Sequence, residues 1–128
     1  MPKYYTVEEA NVALPRLEAL VTELLATHNR IMAMRPEIEG VLAKSHANSG
    51  SAAASRMVLD FGRVETILSK INKMGVEVKD ASTGLCDFTA LHQGREIYLC
   101  WRFGEPRVEW WHELHTGFGG RRHVDELV

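Results

Sequence analysis

Two stretches of the chain decide its fold, Ile97-Tyr98-Leu99-Cys100-Trp101 and Arg107-Val108-Glu109-Trp110-Trp111. Both contain aromatic and β-branched residues, polar and apolar side chains alternate over Arg107-Val108-Glu109, and Val76-Glu77-Val78 opens the same pattern. Alternation with period two is typical of half-buried strands. Gln93-Gly94 and Gly104-Glu105 stand where two-residue turns would join neighbouring strands,. We therefore predict an antiparallel β-meander in the C-terminal half.

The N-terminal half has the period of helices. Thr6 and Glu9 form a capping box, which predicts a helix that begins near Val7,. Gly75 suits the C-terminal cap of a second helix because it tolerates positive φ. Apolar residues three or four apart form a stripe on the first helix, at Val7, Ala10, Leu14, Leu17, Val21, Leu24, His28, Ile31, Ile38 and Leu42. The second stripe is Met57, Phe61, Val64, Leu68 and Ile71, and we expect the two to pack together.

Small residues over 46–55 predict the loop of a long helical hairpin,. Pro15 and Pro36 predict kinks or breaks in the first helix, because proline lacks the amide hydrogen and clashes with the preceding turn. The expected fold is thus α+β, with a helical hairpin over 6–75 packed on antiparallel strands over 76–115. The glycine-rich end, 116–128, is expected to be a loop or a loosely held tail.

Composition places the chain among globular proteins and favours one domain over 1–128. Hydrophobic residues make up 45% of the 128 residues, charged residues 25%, and the formal net charge is -2,. A chain without a basic excess is not expected to bind nucleic acid. The first residues lack the apolar run of a signal peptide, and no stretch reaches the length of a membrane span. We expect a cytoplasmic protein, no membrane partner, and reduced thiols at Cys86 and Cys100.

Two-residue turns also predict a register for the meander. Phe88 then lies opposite Leu99, which lies opposite Trp110, and Cys86, Trp101 and Val108 form a second row on the same apolar face. The opposite face carries Asp87, Cys100 and Glu109 in one row, beside Arg102. In this register His112 falls on the apolar face, next to Ile97.

The row of polar residues admits two interpretations. Asp87, Cys100 and Glu109 could be ligands of a divalent metal such as zinc. Alternatively, Arg102 pairs with both carboxylates across the sheet, which is the commoner arrangement. Cys100 is not expected to be a nucleophile, because neighbouring carboxylates raise the pKa of a thiol.

Two further motifs carry weaker signals. His112-Glu113-Leu114-His115 lacks the spacing of the zinc-protease motif, so a satisfied core histidine is the simpler interpretation of His112,. The glycine loop at 117–120 with Arg121 and Arg122 could bind a phosphate or nucleotide through a backbone nest, or could be a flexible end.

Segments along most of the chain resemble a bacterial family of small proteins, the domain of unknown function 2203. They are Tyr5-Thr6, Glu8-Glu9-Ala10-Asn11, Leu14-Pro15, 75–80, Gly84-Leu85, Asp87-Phe88, Gly94-Arg95, 98–102, Gly104-Glu105, 111–113, Gly117-Phe118 and Gly120-Arg121. The resemblance implies no activity, and the family pattern does not require cysteine at position 86. Its polar positions without an evident packing or turn role are Asp80, Asp87, Glu105, His112, Glu113 and Arg121.

The expectation for function is a small interaction or scaffold protein that forms a homodimer. Tyr98, Leu91, Leu85 and Trp111 are predicted beside the polar row, and so much apolar surface suggests that a second copy covers it. The alternative is a divalent-metal-binding protein, possibly a hydrolase, that uses His112 with Glu113, or Asp87 with Glu109. No cofactor is predicted beyond that metal, the protein partner is unknown, and the sequence does not decide whether the protein is an enzyme.

Overall fold

A computed structural model describes residues 3–44 and 52–127, with side chains described there except at 37–44 and 53. The part of the chain that it describes contains two helices and a five-stranded antiparallel sheet, which confirms the α+β class. The elements are α1 (Val7–Lys44), α2 (Ala52–Lys73), β1 (Val76–Asp80), β2 (Leu85–His92), β3 (Arg95–Arg102), β4 (Trp110–Glu113) and β5 (Arg122–His123). The strands lie in chain order across the sheet.

The capping box at the start of α1 is confirmed. Thr6 Oγ1 accepts the Glu9 amide at 3.1 Å, and Glu9 Oε1 accepts the Thr6 amide at 2.9 Å. Helix α1 then continues through Pro15 and Pro36, so the predicted breaks are wrong. Packing against the protein core overrides the local cost of a proline here, since Leu14 and Leu17, on either side of Pro15, are both buried,. The kinks remain predictions.

The predicted hairpin loop lies mostly in 45–51, outside the described residues. Its last part, 52–55, is the first turn of α2 and not a loop. Small residues such as alanine are good helix formers, so a loop assigned from their size alone ends too late in the sequence. At the other end, Gly75 has a φ of +84° and its amide bonds to the carbonyl of Asn72, as expected for a helix cap.

The inward stripe of α1 is confirmed over Ala10, Leu14, Leu17, Val21 and Leu24, all of which are buried. The stripe of α2 is confirmed at Ile71, which is buried, and at Val64 and Leu68, which pack against the core, but not at Phe61. Asp60 is buried, whereas its neighbour Phe61, predicted to pack inward, is 53% exposed. Asp60 faces α1 because Arg30 on that helix donates a hydrogen bond to it at 3.2 Å.

The turn between β2 and β3 is confirmed as a two-residue turn. Gln93 and Gly94 have φ values of +51° and +80°, the pair of positive angles that a type I′ hairpin turn needs,. The register that follows is also confirmed: Phe88 pairs with Leu99, Cys86 with Trp101 and Asp87 with Cys100. The row Cys86, Phe88 and Ala90 packs into the core with the helices.

The predicted register between β3 and β4 is wrong by one residue. Leu99 pairs with Trp111, not Trp110, and Cys100 pairs with Trp110, not Glu109. The strands are joined by a loop over 103–109, not by a two-residue turn. Asn11 of α1 holds this loop, because its side chain accepts the Val108 amide at 2.8 Å and donates to the Val108 carbonyl at 3.2 Å. A slip of one residue moves every β4 side chain to the other face of the sheet.

The C-terminal segment is more ordered than a tail. Strand β5 pairs with β4, and the Val124 amide donates to the Glu109 carbonyl at 2.9 Å. Val124 and Leu127 pack against the core. Among residues 3–44 and 52–127, neither helix combines the length and apolar character that crossing a bilayer requires.

Candidate metal centre

Three residues with ligand chemistry meet on the face of the sheet turned away from the helices. Asp87 lies on β2, Cys100 faces it on β3, and His112 lies on β4 opposite Tyr98. A carboxylate oxygen, the thiol sulfur and a ring nitrogen all lie within 4.8 Å of one another. The three residues are at most 2% exposed. In the described part of the chain, this is the one cluster of three or more His, Cys, Asp or Glu residues close enough to share a metal ion.

The histidine ring is held in one orientation. Its Nδ1 lies 2.7 Å from the Glu113 carbonyl oxygen, and a carbonyl only accepts, so Nδ1 carries a hydrogen. Its Nε2 lies 3.0 Å from Asp87 Oδ1. One proton must therefore be shared between Nε2 and the carboxyl group. Burial raises the pKa of Asp87, and the adjacent His112 partly offsets that rise.

The Cys100 sulfur is a thiol when no metal is bound. Burial, together with the negative charge of Asp87, raises its pKa to about 12, although Arg121 opposes the rise. His112 is not positioned to deprotonate it, because both ring nitrogens already face other oxygen atoms. A Cys-His-Asp nucleophile of the protease type is therefore excluded by this arrangement.

Arg121 closes one side of the centre. It makes hydrogen bonds of 2.6 and 2.8 Å with the Glu105 carboxylate, and its guanidinium lies 4.6 Å from the centroid of the Phe118 ring. Burial is the largest single influence on Glu105 and raises its pKa, but the Arg121 hydrogen bonds, the Arg102 amide and the charges of both arginines together lower the pKa. Because its guanidinium is already paired and stacked in this way, Arg121 is not available to bind a phosphate at the glycine loop, as the sequence had suggested.

Aromatic contacts close another side. The Tyr98 ring packs at 5.4 Å from the His112 ring, and the Lys79 ammonium lies 4.3 Å from the Tyr98 centroid. Lys79 also forms an ion pair with Glu77 at 2.9 Å. The positive charge of Lys79 lowers the pKa of Asp87, against the effect of burial.

The remaining predicted site residues lie apart from the centre. Asp80 accepts hydrogen bonds from Ser82 in the turn after β1, and Glu113 forms a two-point ion pair with Arg95. The Arg102 guanidinium lies 5.7 Å from the Phe118 centroid, and the carbonyl of Glu109 accepts the Val124 amide. The pairs proposed as metal ligands, His112 with Glu113 and Asp87 with Glu109, are not brought together.

Sequence reasoning included His112 but placed it on the wrong face. Trp110 and Trp111 are both apolar, so alternation alone does not decide which of them faces the core. The informative signal was Pro106, which follows the predicted turn where a ladder amide is needed,. A proline at that position favours a longer loop, and an odd shift in register would have placed His112 beside Asp87 and Cys100.

These features define an α+β protein with two helices, a five-stranded antiparallel sheet and a buried polar centre. Residues 3–124 match the family described as uncharacterized conserved protein (DUF2203), and the chain belongs to that family. Comparison with curated proteins and with solved structures found no significant match.

Proposed function

We propose that this protein binds one divalent transition-metal ion of the zinc class through Asp87, Cys100 and His112. The observation that carries the proposal is the convergence of three different ligand atoms within 4.8 Å in a buried site. A tetrahedral zinc ion holds its ligands roughly 3 to 4 Å apart, given bonds of about 2.0–2.3 Å. Side-chain adjustment of about an ångström therefore suffices to complete the set.

The ligand chemistry supports zinc over magnesium or calcium. A thiolate, an imidazole and a carboxylate together suit a borderline-soft ion, whereas hard cations take oxygen ligands alone. The Nδ1 hydrogen bond of His112 to the Glu113 carbonyl is also typical of metal-ligating histidines, because it fixes the tautomer that presents Nε2 to the ion.

Charge balance supports the same conclusion. In the metal-free centre the Cys100 thiol holds one proton and the Asp87–His112 pair shares another, so the three side chains are neutral together. A divalent ion that replaces these two protons leaves the centre neutral. Burial, which strongly opposes an unbalanced charge, therefore does not oppose this exchange.

The geometry supports metal binding better than catalysis. Three protein ligands leave one coordination position for water or another ligand, as in catalytic zinc sites. However, all three ligands are at most 2% exposed, so a substrate would reach the ion only after the covering side chains had moved. Hydrolysis, considered from the sequence, has no such support in the geometry.

Cobalt(II) substitution tests the proposal. Cobalt added to metal-free protein should give the intense visible bands of a tetrahedral ion and a thiolate-to-cobalt charge-transfer band, and one equivalent of zinc should abolish both. Weak octahedral bands without a charge-transfer band would contradict the ligand set. Cobalt should be added anaerobically, so that thiol oxidation does not imitate a failure to bind.

A second candidate is a small cytoplasmic interaction protein that pairs with a second copy of itself. A groove of about 430 Å³ between α1 and α2 is lined by apolar side chains that include Ile31, Met57 and Val64. Phe61 and Met32 form its walls and are 53% and 47% exposed. A surface that carries both projecting apolar side chains and a groove can pair with itself about a two-fold axis.

Light scattering after size-exclusion chromatography tests the pairing. The wild-type protein should be dimeric at micromolar concentration, and Phe61→Glu should be monomeric with an unchanged circular dichroism spectrum. Leu91→Glu, at an exposed apolar position on β2, serves as the matched control and should remain dimeric. A wild-type protein that is monomeric throughout the micromolar range would contradict this second function.

A further inference from the structure

A charged cleft lies between α1 and α2, separate from the metal centre. It has a volume of about 590 Å³, and its lining includes three arginines, Arg30, Arg56 and Arg63, with Gly62 and Thr66. The arginines come from both helices, whereas the metal centre is built from strands. Neither the apolar stripes nor the metal proposal accounts for this cleft.

A buried aspartate organises two of the arginines. Asp60 has a side chain only 4% exposed; its Oδ1 lies 3.2 Å from Arg30 Nη2 and its Oδ2 lies 3.5 Å from Arg56 Nε. The guanidinium groups themselves stay accessible, with side-chain exposures of 43% and 54%. Asp60 thus accepts a hydrogen bond from Arg30 and forms a longer ion pair with Arg56, and both arginines remain accessible at the edge of the cleft.

The cleft has an excess of positive charge. Arg63, the third arginine, is 60% exposed and forms an ion pair with Glu23. Three guanidinium groups and the two carboxylates of Asp60 and Glu23 leave one net positive charge. Arginine forks match the geometry of oxyanions, since they donate two parallel hydrogen bonds.

Gly62 is independent evidence for the cleft, because the absence of a side chain at this position leaves the cleft unfilled. It lies inside α2, where glycine is the least favourable residue after proline,. A Cβ added at Gly62 would meet no atom within 4 Å, so close packing does not require glycine here. The position lines the cleft, and a longer side chain would extend into that space.

We propose that this cleft binds a small phosphate monoester, with the phosphate group held by Arg30, Arg56 and Arg63. The three terminal oxygens of a phosphate monoester can accept hydrogen bonds from all three arginines, whereas a carboxylate offers only two oxygens. The cleft is also larger than inorganic phosphate alone needs, and Leu59 in its lining offers an apolar contact for the organic part of an ester. Binding at this cleft does not depend on whether Asp87, Cys100 and His112 bind a metal.

Isothermal titration calorimetry in low-salt buffer tests the inference. The ligands are inorganic phosphate, a sugar phosphate and a nucleoside monophosphate, each added to the tag-free full chain. At least one ester should bind, and Arg56→Gln should weaken it at least tenfold. Arg95→Gln removes an arginine that is also about half exposed but lies on the sheet, and it should leave the affinity unchanged. Cys100→Ser should likewise bind the ester normally.

Gly62→Gln separates occupation of the cleft from loss of folding. The side chain should raise the melting temperature, because glutamine is a better helix former than glycine, and should weaken the ester at least tenfold by filling the cleft. Three outcomes would overturn the inference: no binding of any ester at millimolar concentration, equal losses in Arg56→Gln and Arg95→Gln, or full affinity in Gly62→Gln. Inorganic phosphate that binds as tightly as every ester would overturn the assignment to a monoester.

Discussion

Two buried aspartates in this protein have similar exposure and opposite surroundings. Asp87 lies on the sheet beside its partner His112. The two residues are 1% and 2% exposed, so neither member of the pair is accessible to water. Asp60 is 3% exposed, but the arginines that pair with it reach solvent. A solvent-inaccessible carboxylate beside a thiol and an imidazole, as at Asp87, suits the binding of a cation. A buried acid that anchors accessible arginines suits an anion held by those arginines.

The largest expected effect separates the two cysteines. Cys86 and Cys100 are both fully buried and both have a thiol pKa raised to about 12, but Cys86 lies on the core face. Cys100→Ser should weaken zinc binding about a thousandfold, since it removes the thiolate ligand. Competition with a chromophoric chelator measures the affinity.

Cys86→Ser is the matched control, because it makes the same substitution at equal burial on the neighbouring strand. Its zinc affinity should stay within about threefold of the wild type, even if the new hydroxyl lowers stability. Similar losses in the two variants would show that the metal is not held by Cys100, and the contrast between the two faces would be lost.

The two aspartates should differ in their contribution to stability. Asp87→Ala, measured by urea denaturation in the presence of a chelator, should cost about 3 kcal/mol, because it leaves the buried His112 without its partner. Asp87→Asn should cost less, since the amide can donate to Nε2 of the neutral ring.

Asp60→Ala should cost only about 1 kcal/mol, because water can solvate the arginines that it releases. Equal losses in the free energy of unfolding for Asp87→Ala and Asp60→Ala would mean that the solvent accessibility of the partner residues does not distinguish the two sites.

The sequence was sufficient to predict the helices and strands but not to predict the metal centre. The capping box at Thr6, the cap at Gly75 and the turn at Gln93-Gly94 follow from local backbone chemistry, so the prediction found them. The centre depends on the β3–β4 register, which is fixed by Asn11, a residue 97 positions from Val108. Such a long-range contact leaves no signal in the local sequence. The adjacent Trp110 and Trp111 are both apolar, so they do not show which of the two side chains faces the core. The outward position of Phe61 on α2 has a similar cause, since Arg30 holds the neighbouring Asp60 from the other helix.

Zinc affinity should also depend steeply on pH. The Cys100 thiol, with its pKa raised to about 12, remains protonated from pH 6 to pH 8 and must lose its proton to bind metal. The Asp87–His112 pair loses a second. Release of the thiol proton alone should raise the affinity about tenfold for each unit of increase in pH.

Calorimetry in buffers of different ionisation enthalpy counts those protons directly. Two protons released per zinc ion would support the full ligand set. An affinity that does not change with pH would contradict thiolate ligation.

The smallest expected effect concerns the cleft. Gly62→Ala should raise the free energy of unfolding by about 0.8 kcal/mol, because alanine favours the helix and its methyl group meets nothing within 4 Å,. Chemical denaturation measures the change. A destabilised variant would show that Gly62 serves packing after all and would remove one support for an open cleft.

The most direct test of the central claim is the metal content of tag-free protein purified without chelator, before and after exposure to zinc and removal of the excess. We predict one zinc ion per chain in the wild type and in Cys86→Ser, and almost none in folded Cys100→Ser. Wild-type protein that stays metal-free after exposure to zinc would contradict the account, as would stoichiometric zinc in Cys100→Ser.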